Sequence, residues 1–138
     1  MNRCMVIVMV AISLFWCGGA QVLASSATEK EKAFTQKAAQ DYLQSGLILA
    51  GEGRDDEAVQ SFRRAVAARP DWAEAHSLLG SALSRAGSLA EAEAELRKAV
   101  QLKPDYAEGW NYLGQFYQDR AKDKEAQEAF RKAKQLAR

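Results

Sequence analysis

From Ala39 onward, the apolar and small positions of this chain recur every 34 residues. Ala39–Trp72, Ala73–Tyr106 and Ala107–Arg138, set under one another, put Gly46, Gly80 and Gly114 in a single column. Ala58, Ala92 and Ala126 share a second column, and Ala65, Ala99 and Ala133 a third. Bulky side chains stand between them: Leu49, Leu83 and Tyr117, then Phe62, Leu96 and Phe130. A repeat of this length predicts stacked supersecondary units, each unable to bury its apolar face alone. The pattern points toward holding a partner and away from a reaction.

Each unit reads as a helical hairpin. Pro70 and Pro104 stop a helix, because proline lacks the N–H and its ring obstructs the ladder. Asp71 and Asp105 follow, with Glu74 and Glu108 three residues on, so box-like side-chain caps are predicted where the first helices start. Gly87 is placed to end such a helix in the left-handed conformation, and Ser88-Leu89-Ala90-Glu91 is predicted to cap the next. Gly53 and Arg54–Glu57 repeat this in the first unit, whereas Ala121 holds the glycine column of the third and leaves its turn least defined. Gly80 and Ala92 remove bulk where two helices are expected to cross, and Ala99 does so toward the next hairpin.

At this level of detail the chain resembles the tetratricopeptide repeat (TPR) family. The third unit carries the pattern as Trp110, Leu113, Gly114, Tyr117, Ala126, Phe130 and Ala133. The second carries Leu79, Gly80, Leu83, Ala92, Leu96, Ala99 and Pro104, and the first Tyr42, Gly46, Leu49, Ala58, Phe62, Ala65 and Pro70. Ser45 departs from the leucine column, His76 from the aromatic column, and Arg138 stands where a third proline would be. The resemblance covers residues 39–138 without an insertion. It implies an all-α, right-handed solenoid of three hairpins (39–72, 73–106 and 107–138) with an extended N-terminal helix.

In that family the first helices of successive hairpins line a concave groove that binds a peptide or another protein. Carried over by column, the groove residues here are Leu43, Leu47 and Ala50, then Ser77, Ser81 and Ser84, then Asn111, Gln115 and Gln118. Leu78 and Tyr112 lie at its side. The surface passes from apolar to amide- and hydroxyl-rich, which suits a peptide with one hydrophobic anchor and several backbone hydrogen bonds. Some TPR co-chaperones clamp a terminal carboxylate with lysine and asparagine. The matching columns hold Leu43, Leu47, Leu78, Glu108 and Tyr112, so that mode is not expected.

The two ends of the array differ from its middle. Lys134 replaces Val66 and Val100, and Gln127 follows Val59 and Glu93, so the last helix is partly solvated. Phe130 and Leu136 are expected to leave an apolar strip there, which opens the alternative of a structural homo-oligomer joined through that strip or through the N-terminal helix. Upstream, Thr28-Glu29-Lys30-Glu31 has capping-box spacing, and Phe34, Ala38 and Tyr42 follow at helical intervals. Residues 28–51 therefore read as one helix preceded by a tether at 25–27. A degenerate extra helix over 28–38 stays open, and residues 25–38 are set apart as tether and extension.

Residues 1–24 read as a secretory signal. Arg3 forms the positive end, Cys4–Trp16 is free of charge, and Val22-Leu23-Ala24 offers a cleavage site before Ser25. The expected location is outside the cytoplasm, in a bacterial periplasm. The alternatives are a membrane anchor through residues 4–24 or lipidation at Cys17, after Leu14-Phe15-Trp16. Both cysteines, Cys4 and Cys17, lie in this segment, so a cleaved chain has no thiol for disulfides or metal.

Charge then narrows the partner. Arg3 is the only charged residue before Thr28, which leaves equal numbers of basic and acidic side chains in the remainder. Nucleic acid and anionic membrane surfaces, which need a basic surplus, are not expected partners. His76, the one histidine, falls in the aromatic column and is expected to be a packed, hydrogen-bonded side chain. Trp72 and Tyr106 are expected to pack, and Glu91, Glu93 and Glu95 to form a solvated face with Glu93–Arg97 as an i,i+4 pair. No metal site, cofactor, small-molecule substrate or catalytic constellation is expected, and the chain is read as a non-enzymatic scaffold.

Overall fold

The computed structural model describes the backbone of residues 3–138 and the side chains of residues 27–138. Among the described residues there are six helices and no strand: α1 (Arg3–Gly51), α2 (Asp55–Ala68), α3 (Ala73–Arg85), α4 (Leu89–Leu102), α5 (Ala107–Gln118) and α6 (Asp123–Leu136). By its contacts the chain divides into two units, Met1–Thr35 and Gln36–Arg138. The first is helical through residues 3–35, and Thr35 Oγ1 donates to the Glu31 carbonyl at 2.9 Å. The second holds the hairpins of an all-α helical solenoid. The expectations for residues 1–24, a signal, an anchor or lipidation at Cys17, concern side chains outside the described residues.

Helix α1 is already running at Thr28, which corrects both the capping box placed there and the tether at 25–27. No proline or glycine lies between Ala20 and Thr28 to interrupt the ladder.

Within the second unit each hairpin closes around a glycine. A Cβ added at Gly46 would lie 2.5 Å from Phe62 Cε1, at Gly80 2.6 Å from Leu96 Cγ, and at Gly114 2.7 Å from Phe130 Cε1. Small and bulky columns therefore meet face to face, and the bulky member fills the space that the glycine vacates. Phe62 and Leu96 are at most 1% exposed and join Ala58, Leu79, Leu83, Ala92 and Leu113 in one continuous core.

The intra-hairpin turns share a single construction. Arg54 N bonds Leu49 O at 3.0 Å while Gly53 N bonds Ala50 O at 3.2 Å. Ser88 N bonds Leu83 O at 2.9 Å and Gly87 N bonds Ser84 O at 3.2 Å. In the third hairpin Lys122 N bonds Tyr117 O and Ala121 N bonds Gln118 O, both at 3.0 Å. This double-bonded helix ending needs a left-handed residue, supplied by Gly53 (φ 75°), Gly87 (φ 88°) and Ala121 (φ 55°). The turn without glycine thus adopts the same geometry as the others, against the cost of an alanine Cβ in that region.

The side-chain caps are corrected. The N-cap residues of α2 to α6 are Arg54, Trp72, Ser88, Tyr106 and Lys122, and none makes a side-chain cap bond. Asp71 and Asp105 fall one position early. They occupy turns closed by Trp72 N to Arg69 O (3.2 Å) and Tyr106 N to Lys103 O (3.1 Å), with proline at the second position. Trp72 and Tyr106 pack instead under the cations of these turns, Arg69 Cζ at 4.3 Å and Lys103 Nζ at 5.3 Å from the ring centroids. Glu74 pairs with Lys103 at 3.1 Å, and Glu91 pairs with Arg63 of α2 at 2.7 Å.

Candidate functional site: a cleft between the first helices

Helices α3 and α5 are equivalent first helices of adjacent hairpins, and an open cleft of about 250 Å³ lies between them. Ser81, Ser84 and Arg85 from α3 face Tyr112, Gln115, Phe116 and Asp119, with the buried Leu96 below. Four residues expected in the groove, Ser81, Ser84, Tyr112 and Gln115, are therefore brought together here.

The polar groups of this cleft are partly engaged by the protein itself. Arg85 Nε donates to Asp55 Oδ1 at 2.7 Å, tying α3 to the start of α2, and Arg85 Nη1 reaches Ser81 Oγ at 3.4 Å. Arg120 Nη2 donates to Ser84 Oγ at 3.3 Å while its guanidinium lies 5.0 Å from the Phe116 ring centroid. Arg120 Nε is buried without a hydrogen-bond partner. The Ser81 and Ser84 hydroxyls, which accept from the two arginines and keep their own protons to donate, and the exposed Gln115 amide can hydrogen-bond an extended backbone.

The remaining expected residues sit elsewhere. Ser77 is fully buried, and its hydroxyl donates to Ala73 O (3.3 Å) and Glu74 O (3.1 Å), so it faces no groove. Leu43, Ala50 and Leu78 pack against the core, whereas Leu47 on α1 is 41% exposed. Asn111 and Gln118 are exposed on α5 beyond the cleft walls. Arg85, Phe116 and Asp119 were missed as site residues. The period itself could have found two of them, because Arg85 and Asp119 lie 34 residues apart, each one step past the expected groove positions Ser84 and Gln118.

The other sequence candidates resolve as structural groups. His76 is fully buried, with Nδ1 2.5 Å from Glu95 Oε2 and Nε2 2.9 Å from Pro70 O, which bears out the packed, hydrogen-bonded role. The glutamates of α4 are not a merely solvated face. Glu91 holds Arg63, Glu95 holds His76, and Glu93 holds Arg97 at 2.9 Å as the expected i,i+4 pair. Glu93 also accepts from Tyr117 Oη at 3.1 Å, and Arg97 Nε donates to the same phenol oxygen at 3.0 Å. Burial pushes the Tyr117 hydroxyl above the ordinary phenol range, with Glu93 acting in the same direction and Arg97 against it. Among the described residues no group of three His, Cys, Asp or Glu side chains is placed to hold a metal.

Comparison with known structures places the architecture. The second TPR domain of Spaghetti (RPAP3), bound to an HSP90 peptide, is similar with a TM-score of 0.70 at 21% identity, over 78% of this chain and 98% of that one. The Sgt2 TPR domain from Aspergillus fumigatus gives 0.68 at 22% identity, over 72% and 66% of the two chains. MamA gives 0.66 at 23% identity over 75% of this chain, which spans 60% of the MamA chain. A search of curated protein sequences gave no match. The family model for the tetratricopeptide repeat matches residues 43–107 and again 78–138, two overlapping pairs of hairpins. The chain belongs to the tetratricopeptide repeat family.

Proposed function

We infer that the chain is a protein-binding scaffold that holds an extended segment of a partner along the first helices of its hairpins. The observation that carries this reading is the convergence of Ser81, Ser84, Tyr112 and Gln115 on one open cleft beside Arg85 and Asp119. Its walls offer donors and acceptors over a buried apolar floor, the composition that backbone recognition uses. Leu47, exposed on α1, supplies an apolar contact for an anchoring side chain. The similarity to Spaghetti domains bound to an HSP90 peptide supports a peptide as ligand, although the lysine and asparagine columns of a carboxylate clamp are absent here. Residues 1–24 add the setting: an exported protein that helps to assemble a bacterial envelope complex.

The test is affinity capture from an envelope fraction with the purified chain beside its Leu47→Glu/Gln115→Arg variant. A protein held by the parent and released by the folded variant supports the groove. Equal retention by both moves binding to another face.

Self-association is the second reading, resting on Ile48 (54% exposed) and Leu136 (40% exposed) at the two ends of the hairpin stack. Phe130, expected to contribute to an apolar strip, is instead drawn into its hairpin against Gly114. Leu136→Glu, with mass measured against concentration, tests this reading.

A further inference from the structure

A second cleft, of about 390 Å³, opens on a different face of α5. Its floor is Val100, Leu113, Tyr117 and Ala129, all 7% exposed or less. Trp110 forms a wall, and the rim carries Arg97, Gln101, Glu125 and Glu128. The preceding hairpin shows why the space is open. Glu95 occupies the column of Ala129, and its carboxylate reaches inward to the buried His76, which occupies the column of Trp110. In the third hairpin that side chain shrinks to a methyl, and Trp110 turns its N–H to Pro104 O at 2.9 Å.

The charges also change between the two hairpins. Arg63 neutralises Glu91, but the equivalent Arg97 is drawn to Glu93 and Tyr117, which leaves Glu125 without its counterpart. Among the described residues neither Glu125 nor Glu128 has an ion-pair partner. The cleft therefore combines an apolar floor, an aromatic wall and two uncompensated carboxylates. Lys132 Nζ already lies 4.4 Å from the Trp110 ring centroid, so this indole accepts a cation. An arginine or lysine has the matching form, an aliphatic stem with a cationic head.

We propose that this outer cleft is a second protein-binding site, one that takes a basic side chain, arginine by preference, from a partner segment. Planar guanidinium spans two carboxylates and stacks on indole, where an ammonium does neither as well. The site is independent of the groove between α3 and α5, and of whether that groove binds anything.

The probe is a nine-residue peptide with two arginines among alanines and leucines, beside counterparts carrying norleucine or glutamate in their place. Binding is read from the Trp110 indole N–H resonance of the purified chain, assigned through Trp110→Phe. The arginine peptide is expected to shift that resonance saturably, and the norleucine peptide to bind about tenfold more weakly or less. Ala129→Leu, which fills the space that Ala129 leaves open on the cleft floor, should abolish the shift, and Glu125→Gln/Glu128→Gln should weaken it about tenfold with the core untouched. Gln115→Arg, in the other cleft, should leave it unchanged. Equal binding of the arginine and norleucine peptides overturns the proposal. So does an unaltered response in Glu125→Gln/Glu128→Gln, loss of binding in Gln115→Arg, or no shift at millimolar peptide.

Discussion

His76 Nε2 donates to the carbonyl oxygen of Pro70 across 2.9 Å, linking the first helix of its hairpin to the turn that precedes it. The carbonyl can only accept, so this nitrogen carries the proton. One repeat later, Trp110 Nε1 donates to Pro104 O at the same 2.9 Å. A histidine in an aromatic column thus preserves the one polar contact of that column and adds another, to Glu95.

His76→Phe should therefore cost about 1–3 kcal/mol, since it leaves the Pro70 carbonyl without a donor and takes the ring partner of Glu95 away. The double change His76→Trp/Glu95→Ala copies Trp110 and Ala129. It should recover part of the loss seen in either single variant, with a coupling of about 1 kcal/mol in urea unfolding. Additive losses would show that the two positions are not exchanged as a unit.

The left-handed Ala121 predicts a gain. Ala121→Gly should stabilise by about 1 kcal/mol, because the Cβ penalty at φ 55° disappears while both turn bonds remain. Gly87→Ala should lose a similar amount. Thermal unfolding of the two variants beside the parent checks both signs.

The periodic columns make the hairpins and their core legible in the sequence, because a glycine is needed wherever Phe62, Leu96 or Phe130 crosses the facing helix. The site was less legible. Ser77 shares a column with exposed Asn111, yet it is buried with its hydroxyl bonded into its own helix. Column position sets the direction in which a residue leaves its helix and says nothing of how closely a neighbour approaches. The caps failed for a related reason: sequence spacing placed Asp71 correctly beside the helix start but could not tell turn from cap. Arg85 was overlooked because its role depends on Asp55, 30 residues away.

Two glycines separate crowding from flexibility. Gly80→Ala brings a Cβ to 2.6 Å from Leu96 Cγ and 3.0 Å from the Ala92 carbonyl, so the hairpin must part, at about 1–3 kcal/mol. Gly51, at the end of α1, has nothing within 4 Å of an added Cβ. Gly51→Ala should be neutral or stabilising by a few tenths of a kcal/mol, roughly, from helix propensity alone. Equal changes in the two variants in urea melts would show that the contact of position 80 with Leu96 and Ala92 costs nothing.

Tyr117 gives the pH dependence. Its hydroxyl is raised above the ordinary phenol range, chiefly by burial and then through Glu93, against the opposing bond from Arg97. A group whose folded form holds its proton more tightly contributes stability that is complete below the unfolded pKa, about 10 for tyrosine. That contribution is lost as pH rises through the folded value. Phenolate absorbance should therefore show a late step, above the ordinary phenol range, that belongs to Tyr117. Tyr117→Phe should remove that late step and part of the fall in stability at alkaline pH. The same variant removes both hydrogen bonds of the phenol, to Glu93 and from Arg97, while leaving the Arg97–Glu93 pair at 2.9 Å, so the neutral-pH loss should stay at about 1–3 kcal/mol, that of two hydrogen bonds. A larger loss at neutral pH would mean that the Glu93 carboxylate, which Lys122 also approaches at 3.6 Å, loses its place between α4 and α5 once the phenol is gone.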